Sequence, residues 1–216
     1  MAIAIQIDDA FDIETYDGLQ AYIINHLELD AETALQLPTF IRKAEYRLNR
    51  LVTAPERETS ISITTVAGTQ ATALPVDYRQ LRNVQLVADT GASVYPVSLN
   101  SLHSLYSGVT GQPVAYTIAE QSILFGPVPD AVYEYRLTYM ARLPSLSPTN
   151  STNWLLTDNA DAYVYATLMQ ACTWQEDLDA AAVYRGELFS IIAEMNAAGN
   201  RYRNASPIRL RSPVVV

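Results

Sequence analysis

The sequence has 216 residues, a formal net charge of −9 and one cysteine; 49% of its residues are hydrophobic and only 17% charged. The apolar share excludes a disordered chain, the lone Cys172 excludes a disulfide framework or a four-cysteine zinc site, and no apolar run reaches the roughly 18 residues that read as a membrane-spanning helix. The acidic balance leaves no broad basic surface of the kind a dedicated duplex-DNA binder needs.

Residues 1–15 read as an extended acidic lead, and with no base ahead of their apolar stretch they do not read as a signal peptide. Residues 1–32 hold eight acids (Asp8, Asp9, Asp12, Glu14, Asp17, Glu28, Asp30 and Glu32) and no base. A helix is predicted at about 17–29, where Leu19, Tyr22, Ile23 and Leu27 share one face and Asp17 can cap. A second, over about 38–53, opens at Pro38, which suits a first turn. Its stripe is Ile41, Ala44, Leu48 and Leu51; Arg42, Lys43, Arg47 and Arg50 occupy the rest, with one acid, Glu45. This basic helix and the lead carrying Asp8, Asp9 and Asp12 are candidates to attract each other, within or between subunits.

From about residue 57 the period changes from 3.6 to 2. Thr59, Ile61, Ile63 and Thr65 alternate with Ser60, Ser62, Thr64 and Val66, a strand with one polar face. After the turn ALPVDY (Ala73–Tyr78) comes a strand around 80–88, and Asp89–Ala92 reads as a hairpin turn into SVYPV, where Pro96 marks an edge. A short helix through Leu99 and Leu102 ends at Gly108, and a further hairpin turns at Glu120–Gln121. In AVYEYRLTYMA, Tyr133, Tyr135, Leu137 and Tyr139 face one way, as core or interface, and Glu134, Arg136 and Thr138 the other. A loop over 142–157 precedes two helices, about 158–174 and 177–198. The first is apolar on every side and so buried on every side. Gly199 is the expected stop of the second. Residues 199–216 hold Arg201, Arg203, Arg209 and Arg211 and no acid. This tail reads as either a solvated end or a contact for an acidic partner.

The chain therefore reads as α+β. N- and C-terminal helices pack together as a helical bundle, a β-rich middle of antiparallel hairpins (about 57–141) is inserted between them, and the C-terminal tail is extended. One domain covers 16–200, between the lead and a basic arm at 201–216. Its basic residues are 13 Arg against the single Lys43, alongside 14 Tyr. Few charges with much Arg and Tyr point to a surface covered by neighbours.

No chemistry-bearing constellation emerges. The two histidines, His26 and His103, cannot form a metal triad; Cys172, between Ala171 and Thr173 on the most apolar helix, reads as a buried small hydrophobe. Nucleotide-binding glycine loops and nucleophile-elbow motifs are missing from the sequence. The expectation is a protein with no enzymatic activity, no metal and no cofactor.

LPTFIRKAEYRLNR (Leu37–Arg50), ALPVDY, ILFGPVP (Ile123–Pro129), YRLTYMARLPSL (Tyr135–Leu146) and NWLL followed by AYVYATL (Asn153–Leu168) resemble, in their order and spacing, the head-to-tail adaptor or connector proteins of tailed bacteriophages. The resemblance covers about residues 16–200. It implies a non-enzymatic ring subunit, commonly one of twelve, beneath the portal of the capsid. The portal would be on one side, tail or nozzle proteins on the other, and duplex DNA would pass through without specific binding. It implies a place at the head–tail junction of the virion after assembly in the host cytoplasm, with no membrane partner. The family's terminal arms carry over, as a portal-docking expectation, onto Arg201, Tyr202, Arg203, Arg209 and Arg211. Pro75, Asp77, Asn153 and Trp154 read as structural: a turn, a turn cap, and an anchor of the loop ahead of the buried helix. The alternatives are another virion subunit, of tail or decoration type, or a monomeric ligand-binding module using Trp154 and the tyrosine strand.

Overall fold

The computed structural model describes residues 12–88 and 94–204, the last five of these as backbone only. The described residues are mixed α and β, with seven α-helices and two sheets. They divide into two compact units: the two chain ends, up to Glu56 and from Leu143, form one, and Arg57–Arg142 form the other.

The helical unit contains α1 (Tyr16–His26), α2 (Ala31–Ala34), α3 (Leu37–Leu51), α5 (Trp154–Asp158), α6 (Ala160–Trp174) and α7 (Leu178–Asn204). As its all-round apolar pattern predicts, α6 is central: α1, α3, α5 and α7 all pack on it. Ala162, Tyr163, Ala166 and Leu168 share a core with Leu19 and Ile23 of α1, Phe40, Ile41 and Leu48 of α3, and Leu188 and Ile192 of α7.

The helix ends differ from expectation in instructive ways. The helix predicted to reach residue 29 stops at His26, because Glu28 turns into the left-handed region (φ 49) and the Leu29 N–H closes on Ile24 O (3.0 Å). The end of α6 repeats this with Glu176 (φ 61) and Asp177 N–H on Cys172 O (3.0 Å). This is the capping geometry glycine usually supplies, made here by glutamate. Asp158, expected to open the buried helix, instead closes the separate α5, and Asn159 lies between the two. Gly199 is not a stop. α7 continues to Asn204, and a Cβ at Gly199 would lie 2.5 Å from Pro55 Cδ, so this position needs a glycine because another segment crosses closely.

The second unit holds β1 (Glu58–Thr64), β2 (Ala71–Ala73), β3 (Tyr78–Leu86), β4 (Tyr95–Pro96), α4 (Leu99–Tyr106), β5 (Ala115–Ala119), β6 (Ser122–Gly126) and β7 (Glu134–Ala141). One sheet runs β1-β7-β3 and the other β2-β6-β5-β4. The alternation read in β1 and β7 holds: Ile63, Tyr135, Leu137 and Tyr139 are buried while Ser60, Ser62, Glu134 and Arg136 are exposed. The β5–β6 hairpin turns at Glu120 (φ 56) as expected. The expected turn at Asp89–Ala92 falls outside the described residues, but the strands flanking it do not form a hairpin. β3 pairs with β7, and β4 pairs in parallel with β5 in the other sheet. Pro96 does sit on an edge strand. Phe125 stacks on Tyr135 at 4.7 Å in the shared core. At Gly126 a Cβ would meet Leu102 Cδ1 at 2.6 Å and Tyr106 Cδ2 at 2.7 Å, so this glycine lets α4 lie directly on β6.

Candidate interaction surface

Helix α3 turns its apolar stripe into the core and leaves Arg42, Lys43, Tyr46 and Arg50 exposed. Arg42 Nε donates to the Tyr46 hydroxyl (3.3 Å) one turn on, and this bond holds the guanidinium pKa above its ordinary value. Arg47 differs from its neighbours. It is half-buried, with its guanidinium 5.4 Å above the Phe189 ring of α7 and its Nε buried without a hydrogen-bond partner. Arg47 is therefore a packing residue between two helices, in a cation–π contact, and the available positive face is Arg42, Lys43 and Arg50.

Glu45, expected on the polar side, is only 3% exposed. It accepts from the Leu146 N–H (2.6 Å) and also meets Ser145 and the Tyr163 hydroxyl. Asn49 Oδ1 accepts from the Leu143 N–H (2.8 Å). Asn153 Oδ1 caps α5 by accepting from Leu156 N (3.0 Å), and its Nδ2 donates to Pro144 O and to the Tyr163 hydroxyl (2.8 Å each). The loop over 143–153 is thus fastened to α3 and α6 by buried polar groups. The anchoring expected of Asn153 is present, and burial drives the Tyr163 hydroxyl pKa well above the tyrosine range.

Burial also pushes the Glu45 pKa up from its ordinary value. The folded state then holds the proton more tightly than the unfolded chain. The associated stability is fully present below the unfolded carboxylate pKa of about 4.3 and is lost as pH rises through the folded pKa. Glu45→Gln keeps an acceptor for Leu146 N and removes the titration. Denaturant melts between about pH 4 and pH 8 will therefore decline with pH more steeply in the parent than in the variant; equal slopes would show that Glu45 carries no such linkage.

The opposite charge lies at the start of the unit, where Asp12, Glu14, Asp17, Glu28, Asp30 and Glu32 are all exposed. Asp12 Oδ1 accepts from Glu14 N (3.2 Å) and Asp12 O from Thr15 N (3.2 Å), so this acid also shapes the turn into α1. Asp8 and Asp9 lie outside the described residues. Among the described residues the one ion pair is Arg82–Glu58 (3.3 Å), in the β unit. No described carboxylate pairs with Arg42, Lys43 or Arg50. Of the expected arm, Arg201, Tyr202 and Arg203 fall within α7, which corrects the expected start of an extended segment at 201; Arg209 and Arg211 lie outside the described residues.

Other candidates are less constructive. Tyr135, Tyr139 and Tyr163 are core residues, and Trp154 packs half-buried against the helical core, so these rings offer no stacking platform. A cavity of about 330 Å³ lies among Ile13, Tyr22, His26, Asp161, Tyr165 and Tyr184. His26 Nε2 there meets the Tyr184 hydroxyl (3.2 Å) and its ring stacks on Tyr22. Cys172 is buried, which raises its thiol pKa. Among the described residues, no group of His, Cys, Asp and Glu could hold a metal ion, and no helix is long and apolar enough to cross a membrane.

No individual curated protein matches the sequence. A protein-family model described as SU10 adaptor protein matches residues 14–211.

Proposed function

We propose, since this chain belongs to the SU10 adaptor protein family, that it is a structural subunit of the head–tail junction of a tailed phage. It forms a closed ring under the portal, twelve-fold by family resemblance, with tail or nozzle proteins on the far side and duplex DNA passing through unbound. The family identity supports a structural role in the virion and no catalysis. The ring would be assembled in the host cytoplasm.

The observation that carries the reading is the family match over nearly the whole chain. The charge distribution supports it. A ring contact is heterologous, so it joins two unlike patches. Arg42, Lys43 and Arg50 form an exposed cationic face, and Asp12, Glu14 and Asp17 an exposed anionic one, with no ion pair between the two sets within the chain. Each is then offered to the neighbouring copy, and Asp8 and Asp9 add two more acids to the same end of the sequence. The tail carrying Arg209 and Arg211, next to Arg201, Tyr202 and Arg203 of α7, docks on the portal.

Mass measurement of the purified chain, alone and mixed with the cognate portal, tests this. The expected result is a portal complex holding a fixed number of copies. Deleting residues 205–216, which leaves α7 whole, will weaken portal attachment by at least about 10-fold, or ~1.4 kcal/mol, with thermal stability retained. A chain that stays single beside the portal removes the ring reading, and unchanged attachment after the deletion removes the arm.

A further inference from the structure

The two sheets present four edge strands, and three are built to discourage another strand from pairing. β2 is three residues long. β4 is two residues long and includes Pro96, which has no N–H to donate. β3 shifts register twice against β7, and such bulges turn an edge aside. β1 has none of these protections. Its seven residues keep one register with β7 from Glu58↔Met140 to Thr64↔Glu134, contain no proline or lysine, and carry one charge, at the start.

The phase of the ladder says which backbone groups are open. Thr65 N–H bonds Tyr133 O (2.9 Å), continuing the same register. In an antiparallel pair the bonded residues alternate, so Thr59, Ile61 and Ile63 bond inward to β7. Ser60, Ser62 and Thr64 then aim their N–H and C=O outward. The 2.8 Å contact of Ser60 Oγ with Thr138 Oγ1 fits the close, non-bonded pairing this phase requires. No described backbone group outside the sheet meets these three residues.

We propose that this edge accepts residues 2–7 of a neighbouring copy as a fourth strand. The segment Ala2-Ile3-Ala4-Ile5-Gln6-Ile7 has the same two-faced period as the strand it would join. Ile3, Ile5 and Ile7 continue the apolar side, covering the half-exposed Ile61 beside buried Ile63; Ala2, Ala4 and Gln6 continue the side of Ser60, Ser62 and Thr64. The other terminus, Pro213 followed by three valines, has no such alternation. The described chain starts at Asp12, so with residues 2–7 docked the connecting residues 8–11 span at most about 17 Å when extended, and docking needs the edge of the neighbouring copy to lie within that distance. Backbone bonds supply the affinity and the alternate side chains the register. The inference deepens the ring reading in that it needs copies to meet, but it does not need the portal.

Amide hydrogen exchange on the full chain, from dilute to concentrated solution, tests it. The expected result is that Ser60, Ser62 and Thr64 slow by about 100-fold as copies associate, as amides do when they enter a ladder. Deleting residues 1–7 abolishes the slowing. Ser62→Pro, which removes an outward donor and leaves the bonds to β7, keeps Ser60 and Thr64 fast and weakens association. Fast exchange at every concentration overturns the proposal. So does slowing that is independent of concentration, because the cover is then the chain itself, and so does slowing that survives the deletion. Mass measurement of the deleted chain with portal separates the two readings. Portal attachment with fast amides removes only the strand, and slow amides in the full chain without portal attachment remove only the portal reading.

Discussion

Asn153→Ala is expected to destabilise the helical unit by about 3 kcal/mol, the sum of a lost N-cap at about 1 kcal/mol and two further buried hydrogen bonds at about 1 kcal/mol each. Three contacts fail together: Leu156 N loses its cap, and Pro144 O and the Tyr163 hydroxyl lose their donor. The Tyr163 hydroxyl keeps Glu45, which limits the damage to partial rather than complete orphaning. For a chain of this length the cost corresponds to a fall of about 6–12 °C in melting temperature. Asn153→Ser, which can still cap α5 but has no amide to donate, should recover about 1 kcal/mol of it. Calorimetry of the three proteins decides the matter. A melting temperature for Asn153→Ala within about 2 °C of the parent, under 1 kcal/mol, would mean that the loop over 143–153 is held by its apolar residues alone.

Reversing Arg42, Lys43 and Arg50 to glutamate together is expected to weaken assembly by about 100-fold and to leave the fold intact. The three side chains are exposed and form no ion pair among the described residues, so the folded monomer loses little beyond the Arg42–Tyr46 bond. Across a subunit contact each pair is worth about 0.5–1 kcal/mol. Reversal turns attraction into repulsion, giving about 3 kcal/mol in all, or ~100-fold. Arg47 is left out because its guanidinium covers Phe189 and its loss would disturb the packing of α3 on α7. The compensating set Asp12→Lys, Glu14→Lys and Asp17→Lys should restore part of the assembly when mixed with the reversed chain. Sedimentation across a salt series reads both effects, since charge pairing of this kind weakens as the screening length shortens from about 10 Å at 0.1 M salt to about 3 Å at 1 M. Full assembly of the reversed chain would rule out α3 as the cationic half of the contact.

Tyrosine abundance points to an interface, yet Tyr16, Tyr116, Tyr135, Tyr139 and Tyr163 are buried within the chain. Abundance counts rings without placing them; among the described side chains, Tyr46 and Tyr95 are the exposed ones. Glu45 illustrates the same limit on a helix. Arg42, Lys43 and Arg47 lie within three residues of it in sequence, and the loop that crosses α3 at Leu146 turns it from a surface acid into a buried acceptor.

Features written in local periodicity were legible from the residues: the apolar stripe of α3, the all-round burial of α6, the two faces of β1 and β7, the hairpin at Glu120 and the edge position of Pro96. These depend on spacings of two to four residues, and spacing is what the sequence states directly. What depended on partners far away along the chain was decided only in three dimensions. The pairing of β3 with β7 instead of β4, the glycine at 199 demanded by Pro55, and the fastening of Asn153 to Tyr163 and Pro144 all belong here. Backbone hydrogen bonds and close approaches take whichever partner the packed core delivers, and no periodicity along the sequence encodes that choice.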